Sequence, residues 1–122
     1  MTRAVQIALE AGLEEVVCSF IIGHPFDNSA TVNKTLDFVN SLKAMGVCSG
    51  RSRVVTKMAV LVPFPGTEVH CHADEMGLKI IANEWDSYAP DDIMIETKKL
   101  SCQMLRYLQF KSQTMLELGY QR

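Results

Sequence analysis

Apolar residues fall in two kinds of segment along this chain, helical stripes and continuous runs. Thr2 to Gly12 places Val5, Ile7, Ala8, Leu9 and Ala11 at helical spacing, which predicts a helix stopped by Gly12. Glu14 to Ile22 carries Val16, Val17, Cys18, Phe20, Ile21 and Ile22, and a β-favouring run this dense predicts a strand buried on both faces, as in a parallel sheet. Gly23 and Pro25 end it. Asp27, Asn28 or Ser29 then caps a helix whose Val32, Leu36, Phe38, Val39, Leu42 and Met45 recur every three or four residues up to a stop at Gly46. Val47 to Arg53 reads as a polar, basic connection, and Val54 to Val62 as a second apolar strand closed by Pro63-Phe64-Pro65-Gly66. Two such strands joined by a crossover helix predict a right-handed, parallel βαβ unit.

The remainder is less regular. Thr67 to Met76 predicts a short helix ended by Gly77, Leu78 to Pro90 an irregular stretch with Trp85 and Tyr88, and Ile93 to Glu96 a short extended piece. Leu100 to Leu118 reads as an amphipathic helix through Leu100, Met104, Leu108, Met115 and Leu118, ending at Gly119. The expected class is α/β, with residues 1–90 as β/α units and 91–122 as a helical extension of one compact unit. If the strands are parallel, the Gly23–Asn28 and Pro63–Glu68 loops sit side by side on one rim, at the strand ends where α/β folds keep their ligand sites.

Composition narrows the function. A chain of 122 residues can bury roughly two-thirds of its unfolded surface. Twelve Lys and Arg against fourteen Asp and Glu give a net charge of −2, with no basic stripe for nucleic acid. The longest apolar run, Met58 to Pro63, is far short of a membrane span, and no secretory leader is visible, so a cytoplasmic protein is expected. The four cysteines, Cys18, Cys48, Cys71 and Cys102, lie 23 to 31 residues apart without a C-x-x-C pair, which argues for reduced thiols. Asn33-Lys34-Thr35 matches the glycosylation acceptor pattern but falls inside a helix. A start in mid-helix suggests a piece of a longer protein.

The ordered set FIIGHP, LVPFPGTEV, MGLK, WDSY and KKLS resembles the C-terminal part of the catalytic domain of radical S-adenosylmethionine (SAM) enzymes. The similarity is to the cobalamin-linked branch that includes the anaerobic magnesium-protoporphyrin monomethyl ester oxidative cyclases, and it covers nearly the whole chain. It implies a fragment of a partial (β/α)6 TIM-like barrel, the last two strands with their helices plus a C-terminal helix. The parent would be an oxidoreductase using SAM and a [4Fe-4S] cluster, with cobalamin as a further possibility. The residues implied to meet the cofactor are Ile21, Gly23, Pro25 and Asp27 on the first loop and Val62 and Pro63 on the second, within a segment Leu61 to Phe64 that lines the pocket. Departures from the family pattern are plain. Phe26, Asp27 and Asn28 stand where Gly and Glu-Thr are usual, and of the pattern Gly-x-Ile-x-Gly-x-x-Glu only Ile21 and Gly23 fit, Ser19 and Phe26 taking the outer positions. The C-x-x-x-C-x-x-C triplet that holds the cluster is missing, so the piece is expected to be inactive alone. Its implied partners are the rest of the barrel and a small-molecule substrate, and as an isolated piece, with open strand edges, another copy of itself.

Two other classes stay open. In EVHCHADE, His70 and Asp74 share a helix face, as do Cys71 and Glu75, so a free-standing metal-binding domain or hydrolase built on His70, His72, Asp74 and Glu75 is one alternative. The plainer account of that helix is a solvated face with one buried thiol. A non-catalytic interaction module is the other. His24 is more simply a strand-end decoration than a catalytic base, and Trp85 and Tyr88 more simply packing anchors than substrate contacts.

Overall fold

The computed structural model describes residues 1–81, 84, 88 and 92–118, with side chains through Ser112 in the last helix. The elements run α1 (Thr2–Glu10), β1 (Glu15–Ile22), α2 (Ser29–Ser49), β2 (Arg53–Val60), α3 (Glu68–Cys71), α4 (Ala73–Met76), β3 (Leu78–Ile80), β4 (Ile95–Thr97) and α5 (Cys102–Leu118). The protein is thus mixed α/β.

β1 and β2 pair in parallel from Glu15↔Arg53 to Ile22↔Val60, as the crossover helix requires. Backbone bonds from Arg53 to Glu14 and from Leu61 to Ile22, both 2.8 Å, extend the ladder at its two ends. The two-residue period of a strand splits the sheet into unlike faces. Towards one face point Val16, Cys18, Phe20 and Ile22 with Val54, Thr56, Met58 and Val60. Here α2 (Val32, Leu36, Val39), α5 (Leu105, Leu108), Leu78 and Ile95 complete one core cluster, while Val5 of α1 and Leu42 of α2 pack with Cys18 and Val54 in another. The opposite face carries Glu15, Val17, Ser19 and Ile21 beside Arg53, Val55, Lys57 and Ala59. Val17 is 50% and Ile21 53% exposed. Burial of the strands on both faces, expected from their apolar density, is therefore not met: among the described residues the helices that pack on this sheet lie on one side of it.

α2 is capped by one of the three expected candidates and departs from expectation at its other end. Its cap is Asn28: Oδ1 accepts from the Thr31 N–H at 3.0 Å, and Thr31 Oγ1 accepts from the Asn28 N–H at 2.9 Å, a reciprocal capping box. The helix does not stop at Gly46 but continues to Ser49, where Gly50 takes the left-handed cap with φ 66°. Gly46 instead permits close packing. A Cβ there would lie 2.9 Å from Val54 Cγ2 and 3.0 Å from the Val54 backbone N.

The single helix expected over Thr67–Met76 is two one-turn helices broken at His72, with Thr67 capping the first. The stretch expected to be irregular from Leu78 onward begins with β3, which pairs antiparallel with β4 from Leu78↔Thr97 to Ile80↔Ile95. Strands of three residues are too short to show a period. Ile95, Leu100 and Leu105 are fully buried, so the later part of the chain and the βαβ unit share one core. Trp85 and Gly119 lie outside the described residues, as do the side chains of Met115 and Leu118. Among the described residues no helix is long and apolar enough to cross a membrane.

Candidate functional site

Parallel pairing puts the loops after β1 and β2 at the same end of the sheet, so the rim expected from the sequence exists. Its first loop is held by Asp27. The carboxylate is buried, and Oδ2 accepts from the Gly23 and His24 N–H groups, each at 3.0 Å, while Oδ1 accepts from the Thr31 hydroxyl at 3.0 Å. The Asp27 N–H donates back to the His24 carbonyl at 2.9 Å, and His24 Nδ1 stands 3.4 Å from Oδ2. Asp27 thus ties the strand end to the first turn of α2. Its lone pairs are directed at its own loop, where each charge-assisted bond is stronger than a neutral one.

Gly23 has φ +91°, a conformation open to glycine, and is walled in: an added Cβ would meet Ile95 at 3.2 Å, Val60 at 3.3 Å and Leu105 at 3.4 Å. In the second loop Pro63 is fully buried, the Phe64 N–H donates to the Val62 carbonyl at 2.9 Å, and the Thr67 hydroxyl donates to the Phe64 carbonyl at 2.7 Å.

Of the six residues that the family resemblance assigns to the cofactor, three turn inward. Gly23, Asp27 and Pro63 are buried and serve the loops themselves, whereas Ile21 is exposed and Pro25 and Val62 are half-buried at the rim. The rim also presents exposed rings, among them Phe26, which the sequence does not single out as a ligand contact. Phe26, 70% exposed, stacks on His24 with centroids 5.2 Å apart and planes 15° apart. Phe64 stands 6.5 Å from Tyr88, and Tyr88 stands 6.4 Å from His70. An aromatic in a Gly/Pro loop at a strand end is the signal that would have found Phe26, whereas Phe64 already lies in the Leu61–Phe64 segment that the resemblance assigns to the pocket.

The metal alternative loses its geometry. With the helix broken at His72, the pairs His70/Asp74 and Cys71/Glu75 no longer lie on one continuous helix, and the ion pair in that segment is the exposed His72–Glu75 contact at 3.3 Å. Among the described residues no three His, Cys, Asp or Glu side chains come together as a metal site. All four cysteines are free. Cys71 is exposed rather than buried, Cys48 is exposed, and Cys18 is buried, with burial pushing its thiol pKa above the ordinary 9.0.

No family model matches the chain, and neither a curated protein nor a solved structure matches it. The site is thus defined by its own geometry: a parallel βαβ unit with helices on one face, the other face left uncovered by the described residues, and two adjoining loops with exposed rings at the strand ends.

Proposed function

We propose that this chain forms the last β/α units of a radical SAM catalytic domain and supplies part of a pocket for the cofactor's nucleoside end and the substrate. The carrying observation is the one-sided sheet: two parallel strands have their helices on one side and a half-apolar face on the other, the layout of two adjacent staves of a barrel seen from outside and inside. On this reading Val17, Ile21, Val55 and Ala59 face the lumen, and the rest of the barrel pairs with the free strand edges. The parent would be an iron–sulfur oxidoreductase of the cyclase-like, cobalamin-linked branch.

The residues present fit such a cofactor only in part. Ile21, Val62 and the neighbouring Phe26 and Phe64 rings offer apolar and π surface to a nucleoside. Nothing here fits the [4Fe-4S] cluster, because the four cysteines do not gather among the described residues and their spacing contains no cluster motif. The chain's own contribution is to shape and dry one wall of a pocket, with Asp27 holding the loop that carries His24 and Phe26.

The uncovered face also supports an interaction module, and one experiment separates the two. Translation of the genomic DNA upstream of Met1, in frame, is expected to reveal a C-x-x-x-C-x-x-C triplet within roughly one to two hundred residues, the length of the missing barrel units. A stop codon immediately upstream would sink the radical SAM reading and leave the interaction module. In either case the isolated chain should self-associate through its open edge and face. Light scattering at micromolar concentration is expected to give a dimer or larger species, and a clean monomer would refute this.

A further inference from the structure

The face of the β1–β2 sheet left uncovered by the described residues has a pattern that matches itself. Parallel register sets its side chains in four rows from the strand starts to the loops: Glu15 beside Arg53, Val17 beside Val55, Ser19 beside Lys57 and Ile21 beside Ala59. Val17 and Ile21 are half exposed, and Glu15, Ser19, Arg53 and Lys57 are exposed as well. Arg53 Nε donates to Glu15 Oε2 at 2.9 Å, so the first row holds an acid on β1 and a base on β2.

A second copy can cover this face about a two-fold axis lying in the plane of contact, with the two sheets about 10 Å apart and their strands nearly aligned. Such an axis runs either across the strands or along them. Across the strands, the first row lies on the fourth, and Glu15 and Arg53 are set on the apolar Ile21 and Ala59 of the second copy. Along the strands, each row lies on itself, with β1 over β2 of the second copy. Glu15 then meets Arg53 of the second copy, Val17 meets Val55, the short Ser19 meets the long Lys57, and the large Ile21 meets the small Ala59. Charge is matched in the first row and size in the last two, and every contact occurs twice, as a closed dimer requires.

We propose that in the isolated chain this face binds a second copy of itself about a two-fold axis parallel to the strands, with Glu15 and Arg53 of each copy facing Arg53 and Glu15 of the other. The inference rests on the self-association already expected of the isolated chain and adds to it the face, the symmetry and the register.

Charge swaps in the 122-residue chain test it. Glu15→Arg gives a chain with two bases in the first row, and Arg53→Glu gives one with two acids, both at exposed positions. Each variant alone sets like charges on like across the axis, so sedimentation should show its dimer weakened at least about tenfold against wild type. An equimolar mixture of the two should recover dimers made of one chain of each kind. Variants that dimerise as well as wild type, or a mixture that stays monomeric, would overturn the arrangement and leave self-association itself standing. Growth beyond the dimer would do the same, because a β1 edge added to a β2 edge also brings Glu15 to Arg53 but cannot close. A wild-type chain that stays monomeric overturns both.

Discussion

Replacing Gly46 by alanine sets two effects of opposite sign against each other. Gly46 lies within α2 at an ordinary helical φ, so alanine there relieves an entropic cost of about 0.5–1 kcal/mol. The added methyl, however, would stand 2.9 Å from Val54 Cγ2 and 3.0 Å from both Val54 Cβ and Val54 N. The last two atoms belong to the start of β2 and cannot rotate aside, so α2 must lift off the sheet. Overpacking of this kind costs about 1–3 kcal/mol, and the backbone contact puts it in the upper half of that range. The expected net loss is about 1–2 kcal/mol, read as a lower urea midpoint at unchanged slope. Gly50→Ala is the comparator: nothing lies within 4 Å of its added Cβ, but φ is +66°, so it should lose about 1 kcal/mol through backbone strain alone. A Gly46→Ala chain more stable than wild type would refute the packing argument.

Asp27→Ala should cost about 2–3 kcal/mol, because the buried Gly23 N–H, the part-buried His24 N–H and the Thr31 hydroxyl lose their acceptor; denaturation checks this, and a loss below about 0.5 kcal/mol would show that the loop holds itself. Cys48 and Cys71 should react with a thiol reagent at solvent-exposed rates and Cys18 only as the chain opens, so equal rates for the three would contradict the burial of Cys18. The raised Cys18 pKa leaves the folded chain binding a proton that the unfolded chain releases, so stability should fall as pH rises past about 9.0 and the fall should vanish in Cys18→Ala. Lys43 has the opposite sign: burial lowers its pKa, so its penalty is present at neutral pH and fades as pH rises towards and past 10.5. In Lys43→Met this rise in stability with pH should disappear, and a rise that persists unchanged would refute the assignment.

The candidate site was legible in outline and not in its roles. Strand-ending Gly23 and Pro63 mark a rim by their chemistry, and the crossover helix between the strands makes the two loops neighbours, so sequence reasoning finds the right end of the sheet. It does not reveal which rim residues face outward. Asp27 is a ligand group only by the family resemblance, and here three donors of its own chain converge on it. Phe26 looks like a misfit for a glycine position, yet the loop turns it out against His24.

By itself the sequence determined the order of elements in the βαβ unit, the α/β class and the lack of a cluster motif, because those depend on local period, turn chemistry and residue spacing. Tertiary structure alone decided which face of the sheet is covered, that Gly46 is a contact rather than a stop, that Ile80 and Ile95 pair across β3 and β4, and that Asp27 serves its loop. Each of these turns on what lies across space from a residue. A continuous apolar run reads the same whether one of its faces meets helices and the other solvent or both are buried.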